Sequence, residues 1–181
     1  MKKISVAVLI LVGAIFLTVF IFQNNSPLEE NFLVNDFNSC VEVGNPIMES
    51  YPRQCRDPQS KETFTENVGN VLEVIDLIRL STPLPSEEIS SPLVIKGQAR
   101  GTWFFEASFP VVLVNWDGLI IAEGYATAQS DWMTEEFVPF EATLEFTKPD
   151  YSNRGALILQ KDNPSSLPEN DNALEIPILF E

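Results

Sequence analysis

From Val71 onward the chain alternates apolar and polar residues with a period of two. Starting at Trp103, every second residue is apolar through Phe105, Ala107, Phe109, Val111 and Leu113, and the intervening positions include Glu106, Ser108 and Pro110. Val138, Phe140, Ala142, Leu144 and Phe146 repeat the pattern against Pro139, Glu141, Thr143 and Glu145. Successive side chains of a strand point to opposite faces, so these runs predict half-buried strands. Weaker runs at Leu72–Leu80, Leu93–Ala99, Leu119–Ala128, Gly155–Lys161 and Leu174–Phe180 bring the expectation to seven strands. Turn-rich connections separate them: Thr82–Ser91, Asn115–Gly118 with its Asp-Gly pair, Lys148–Arg154 and Asp162–Asn172. With no convincing amphipathic helix, the expectation for 71–181 is an all-β, antiparallel sandwich, with barrel and jelly-roll arrangements as alternatives.

The N-terminal pattern is different. Lys2 and Lys3 precede an uncharged apolar run of 19 residues, Ile4–Phe22. As a helix it would be about 28 Å long, close to the roughly 30 Å hydrocarbon core of a bilayer. The run ends in Phe20, Ile21 and Phe22, where a cleaved signal would end in small residues, and the first cysteine is Cys40. Residues 1–23 are therefore expected to be an uncleaved transmembrane anchor in the cytoplasmic membrane. Its two lysines would stay inside and the C-terminal domain would be extracytoplasmic. Residues 24–36 are expected to be a polar tether.

Residues 37–70 carry the two cysteines of the chain, Cys40 and Cys55. In an oxidising compartment they predict one disulfide. A zinc site would need about four ligands, and the chain has no histidine to complete one. Because the pair precedes the strands, it cannot be the intersheet bridge of antibody domains. The segment resembles a short two-cysteine element found ahead of domains in other bacterial envelope proteins.

In 181 residues, 11 Lys and Arg face 26 Asp and Glu, giving a net charge of −15. That charge repels nucleic acid phosphates and anionic headgroups. The absence of histidine removes the commonest general base.

The segments Ile89–Gly118 (ISSPLVIKGQARGTWFFEASFPVVLVNWDG) and Ala126–Phe146 (ATAQSDWMTEEFVPFEATLEF), with the late strand LEIPILF, resemble the Gmad2 family, the immunoglobulin-like domain of bacterial spore germination. The likeness spans roughly Ile75–Phe180. It implies an immunoglobulin-like fold outside the cytoplasm and no known catalytic residue; no cofactor is expected.

Several side chains are candidates for a site. Trp132 and Met133 lie in the polar stretch Ala128–Phe137, and Trp116 lies in the Asp-Gly turn; together they are the candidate binding surface. The competing expectation for Trp132 is a lid closing one end of the sandwich. Asp162, Asn163, Glu169, Asn170, Asp171 and Asn172 gather oxygen ligands of the kind calcium prefers, without the spacing of a calcium loop; Asp162, Glu169 and Asp171 would carry such a site, and a solvated turn is the alternative. Asp131, Glu135, Glu136 and Glu141 could furnish the carboxylate pair of a hydrolase, although chance pairs are expected in so acidic a chain. The preferred function is a noncatalytic interaction module contacting an envelope protein or a wall polymer. The alternatives are a structural or regulatory subunit of a membrane complex, with a germination-like role, and a carboxylate-dependent wall hydrolase.

Overall fold

A computed structural model describes residues 33–181; the expected anchor, 1–23, and most of the tether lie outside the described residues. Among the described residues no helix is long and apolar enough to cross a membrane.

The two-cysteine element comes first. Helix α1, Phe37–Glu42, opens on a capping box in which the Asp36 carboxylate accepts from the Ser39 amide at 2.7 Å. Three short strands follow, β1 (Ile47–Met48), β2 (Gln54–Arg56) and β3 (Thr63–Thr65), paired in that order. Cys40 on α1 is joined to Cys55 on β2, so the disulfide links helix to sheet. Both sulfurs are fully buried beside Phe37, with Val34, Val41 and Phe64 packed around them, which makes a second small core.

The main body has eight strands: β4 (Ile78–Thr82), β5 (Glu88–Ile89), β6 (Leu93–Arg100), β7 (Ser108–Asn115), β8 (Ile120–Ala128), β9 (Phe137–Leu144), β10 (Arg154–Gln160) and β11 (Ala173–Phe180). They hydrogen-bond in the order β4-β6-β9-β8-β7-β10-β11-β5. The joint between β8 and β9 is short, with register pairs Thr127↔Glu141 and Ala128↔Phe140, whereas β6 and β9 stay paired from Leu93↔Leu144 to Arg100↔Phe137. There the sheet folds over on itself. In a flat sheet β9 and β11 would stand about 19 Å apart at 4.8 Å per strand, yet Phe146, just past β9, touches Phe180 of β11 at 5.5 Å between rings. Buried residues from both layers form one core, with Trp103, Phe109, Phe140, Leu157 and Ile176 among its fully buried members.

Three expectations need correction. The run from Trp103 to Leu113 is not one strand: Gly101–Trp103 is a 3-10 turn, and the chain then reverses at Glu106 (φ 49°) and Ala107 (φ 63°) before β7 begins at Ser108. Alternation continues through the reversal, but Phe105 ends up 41% exposed. Leu72–Leu80 splits into helix α2, Val71–Val74, and strand β4; Val71, Val74 and Ile78 have helical spacing and face the core, while Leu72 points outward. The sheet is also not wholly antiparallel or seven-stranded, because two-residue β5 adds an eighth strand parallel to β11. So short a strand carries no periodic signal.

The outer edge of β11 is sealed. The Asn70 side chain donates to the Ala173 carbonyl at 2.9 Å and accepts from the Glu175 amide at 2.8 Å, while its own amide donates to the Glu175 carbonyl at 3.2 Å. Pro177 has no N–H to expose, and its carbonyl accepts from the Ser86 amide at 2.7 Å. Gly69, at φ 65°, passes so close to the Glu175 carbonyl that a Cβ would collide with it. Asn70, the Ser86 amide and β5 together close an edge that would otherwise be a template for aggregation.

Candidate functional site

The described structure presents its most built surface at the turn between β7 and β8. Asn115, at the end of β7, is buried, and its side chain organises the turn. Its Oδ1 accepts from the amides of Asp117 at 3.0 Å and Leu119 at 2.9 Å, and its backbone pairs with Leu119 and Gly118. Gly118 takes the left-handed conformation, φ 78°, that closes the turn. The Asn115 Nδ2 donates to the Tyr151 hydroxyl, which in turn donates to Asp117 Oδ2 at 3.3 Å. Tyr151 comes from the β9–β10 connection, so this network ties two loops into one unit. Partial desolvation, and then the nearby Asp117 carboxylate, push the Tyr151 phenol above its ordinary pKa.

Such a network fixes the backbone and leaves the neighbouring side chains in solvent. Trp116 is 61% exposed, Leu119 62%, Ile120 60% and Tyr151 60%, at one end of the body. Large apolar side chains held outward on a rigid turn are typical of contact surfaces.

The other candidates sit elsewhere. β8 runs from Ile120, beside the turn, to Ala128, where the Ala128–Phe137 loop starts, so Trp116 lies about 26 Å of strand from the loop with Trp132 and Met133. That loop is folded tightly. The carbonyls of Trp132 and Thr134 press on Gly101, the Gly101 amide donates to the Glu136 carbonyl at 3.2 Å, and the Arg100 guanidinium donates to the Glu135 carbonyl at 3.2 Å. Trp132 is half-buried against the main core, the position expected of a lid, whereas Met133 is 77% exposed. Trp116, Trp132 and Met133 therefore do not form one surface.

Several of the acidic candidates make structural contacts. Asp171 accepts from Asn163 Nδ2 at 2.7 Å, and the Asp162 amide donates to the Trp103 carbonyl at 3.0 Å. Among the described residues no group of three or more His, Cys, Asp or Glu could hold a metal ion, so Asp162, Glu169 and Asp171 are not brought together as ligands. Glu141 pairs with Lys96 at 3.2 Å, Glu136 lies 3.8 Å from Arg100, and Asp131 accepts from the Met133 amide at 3.1 Å.

A cleft of about 270 Å³ separates the two-cysteine element from the main body, lined on one side by Asp36, Phe37 and Thr65 and on the other by Arg154, Gly155 and Leu179. Gly155 pairs in register with Asn115, so the cleft opens at the same end as the Trp116 turn.

The Asp-Gly pair made the turn visible in the sequence. Tyr151 and the exposure of Ile120 were not, because both depend on which loops meet.

Residues 77–166 match the Gmad2 family, described as the immunoglobulin-like domain of bacterial spore germination. The match begins just before β4 and ends inside the β10–β11 connection, so β11, which supplies Leu174, Ile176, Ile178 and Phe180 to the core, lies beyond it but is hydrogen-bonded into the same sheet. No curated protein and no solved structure matches the chain significantly. The folded sheet, its single core and the family match agree: residues 77–166 form an immunoglobulin-like domain similar to the Gmad2 family.

Proposed function

We propose that this chain is a noncatalytic interaction module, held outside the cytoplasm by an N-terminal membrane anchor, that makes its contact through the Trp116 turn. The observation that carries this reading is the Asn115–Tyr151–Asp117 network, which holds Trp116, Leu119 and Ile120 in solvent on a rigid scaffold. The Gmad2 family is one of immunoglobulin-like domains, which favours binding over catalysis. The apolar run Ile4–Phe22 behind Lys2 and Lys3 supports the anchor and its orientation.

The experiment uses the full chain in native membranes. A photoreactive residue at Leu119 is expected to give adducts that the same residue at Leu167, exposed in the β10–β11 connection, does not give. A reporter fused after Glu181 should be active only outside the cytoplasm, and alkaline carbonate should leave the chain in the membrane fraction. Equal crosslinking at both positions refutes the contact surface; reporter activity in the cytoplasm refutes the orientation.

A further inference from the structure

The Trp116 turn lies at the end of the body where the polypeptide arrives from its N-terminus. Asp36, immediately before α1, lines the cleft with Arg154 and Gly155, and Gly155 is the register partner of Asn115. Tyr151, three residues before Arg154, is hydrogen-bonded to Asn115. The chain therefore enters beside the surface formed by Trp116, Leu119, Ile120 and Tyr151.

From Phe22, the end of the apolar run, to Leu33, the first described residue, is 11 residues. Fully extended they reach at most about 38 Å. On the anchor reading above, the entry end of the body is thus kept close to the bilayer. An exposed Trp, Leu and Ile on one rigid turn, with a Tyr from the loop tied to it, have the composition of a membrane-interface contact, since Trp and Tyr concentrate at the headgroup level. A tether this short makes docking intramolecular, so a weak contact suffices. The charge of −15 rules out attraction to anionic lipid as the driving force and leaves burial of apolar side chains.

We infer that the partner of this surface is the bilayer itself: the β7–β8 turn, with Tyr151, rests in the headgroup region of the outer leaflet and sets the orientation of the immunoglobulin-like domain on the membrane. The inference rests on the proposed anchor.

The chain has three tryptophans, Trp103, Trp116 and Trp132, and none in Ile4–Phe22. Trp103 is buried and Trp132 half-buried, so Trp116 is the accessible fluorophore. The full chain is reconstituted into phosphatidylcholine vesicles with brominated acyl chains, with and without phosphatidylglycerol. Flotation after carbonate treatment reports the anchor; quenching reports the turn. The expected result is quenching that Trp116→Phe abolishes, that Leu119→Asp with Ile120→Asp abolishes while flotation persists, and that phosphatidylglycerol does not strengthen. A chain that floats with Trp116 unquenched keeps the anchor and overturns the contact. Quenching that appears only with phosphatidylglycerol overturns the apolar mechanism. Trp116 unquenched by lipid but shielded by soluble wall glycan fragments assigns the surface to a glycan instead and likewise overturns the inference. Failure to float overturns the anchor, and the contact falls with it.

Discussion

Phe109 on β7 and Phe140 on β9 meet edge-to-face, their ring centres 5.0 Å apart, and both are fully buried. β8 separates these strands within the sheet, so the contact is made across the fold of the sheet. Phe104 extends the cluster against Phe109 at 5.2 Å. Replacing Phe140 with Ala removes one buried ring of this cluster and is expected to cost about 3–5 kcal/mol. Urea unfolding followed by far-UV circular dichroism measures it; a loss below about 1 kcal/mol would contradict the packing.

Trp132→Ala should cost about 1–3 kcal/mol, less than Phe140→Ala, because Trp132 is half-buried as a lid on the core and not inside it. The same urea titration compares the two, and an unchanged midpoint would return Trp132 to the role of a free contact residue.

Tyr151→Phe removes one hydroxyl from the Asn115–Asp117 network and should lower stability by about 1 kcal/mol. Asn115→Ala should cost more, about 1–3 kcal/mol, because it orphans the amides of Asp117 and Leu119. Hydrogen exchange at these two amides should accelerate in both variants while β6 and β9 remain protected.

The Cys40–Cys55 bridge closes a loop with a sequence separation of 15, which in the chain-entropy account removes about 3 kcal/mol of denatured-state freedom. Its small core is separate from the main one. Reduction should therefore accelerate proteolysis within Phe37–Glu66 and leave the β-sheet circular dichroism nearly unchanged. The cysteines should resist thiol reagents until a reductant is added.

Glu66, buried directly after β3, accepts from Arg53 Nε at 3.0 Å and forms a second contact with its guanidinium. The Arg53 hydrogen bond holds the Glu66 carboxyl below its ordinary pKa. A lowered folded-state pKa gives stability that is present above the unfolded carboxylate value, about 4.3, and is lost as pH falls through the lower folded value. The two-cysteine element should thus loosen below about pH 4.3, measured by hydrogen exchange at Cys55 and Arg56. Glu66→Gln should reduce this dependence and weaken the element at neutral pH; hydrogen bonds from Ser39 to Asp36 and from Ser60 to Asp57 hold those carboxyls below their ordinary pKa as well and supply the remainder.

Local periodicity made much of the body legible. Phe140, Ala142 and Leu144 sit on the buried face that their alternation predicts, and β6, β8, β10 and β11 lie within or close to the expected runs, because a half-buried strand must place every second side chain inward. The pairing of Cys40 with Cys55 followed from having two cysteines and no competing ligand set. Tertiary structure decided what periodicity cannot encode. Phe105 keeps the alternation yet points outward because the chain reverses at Glu106 and Ala107. Asn70, an ordinary last residue of the two-cysteine segment in sequence, covers part of the β11 edge across a separation of about a hundred residues. Trp116, Trp132 and Met133 look alike as aromatic or soft residues in polar loops, but β8 carries them to opposite ends, one held in solvent by Asn115 and Tyr151 and another folded onto the core. Composition states what a side chain can do; which loops meet at its position depends on long-range pairing, and that determines whether it packs or makes contact.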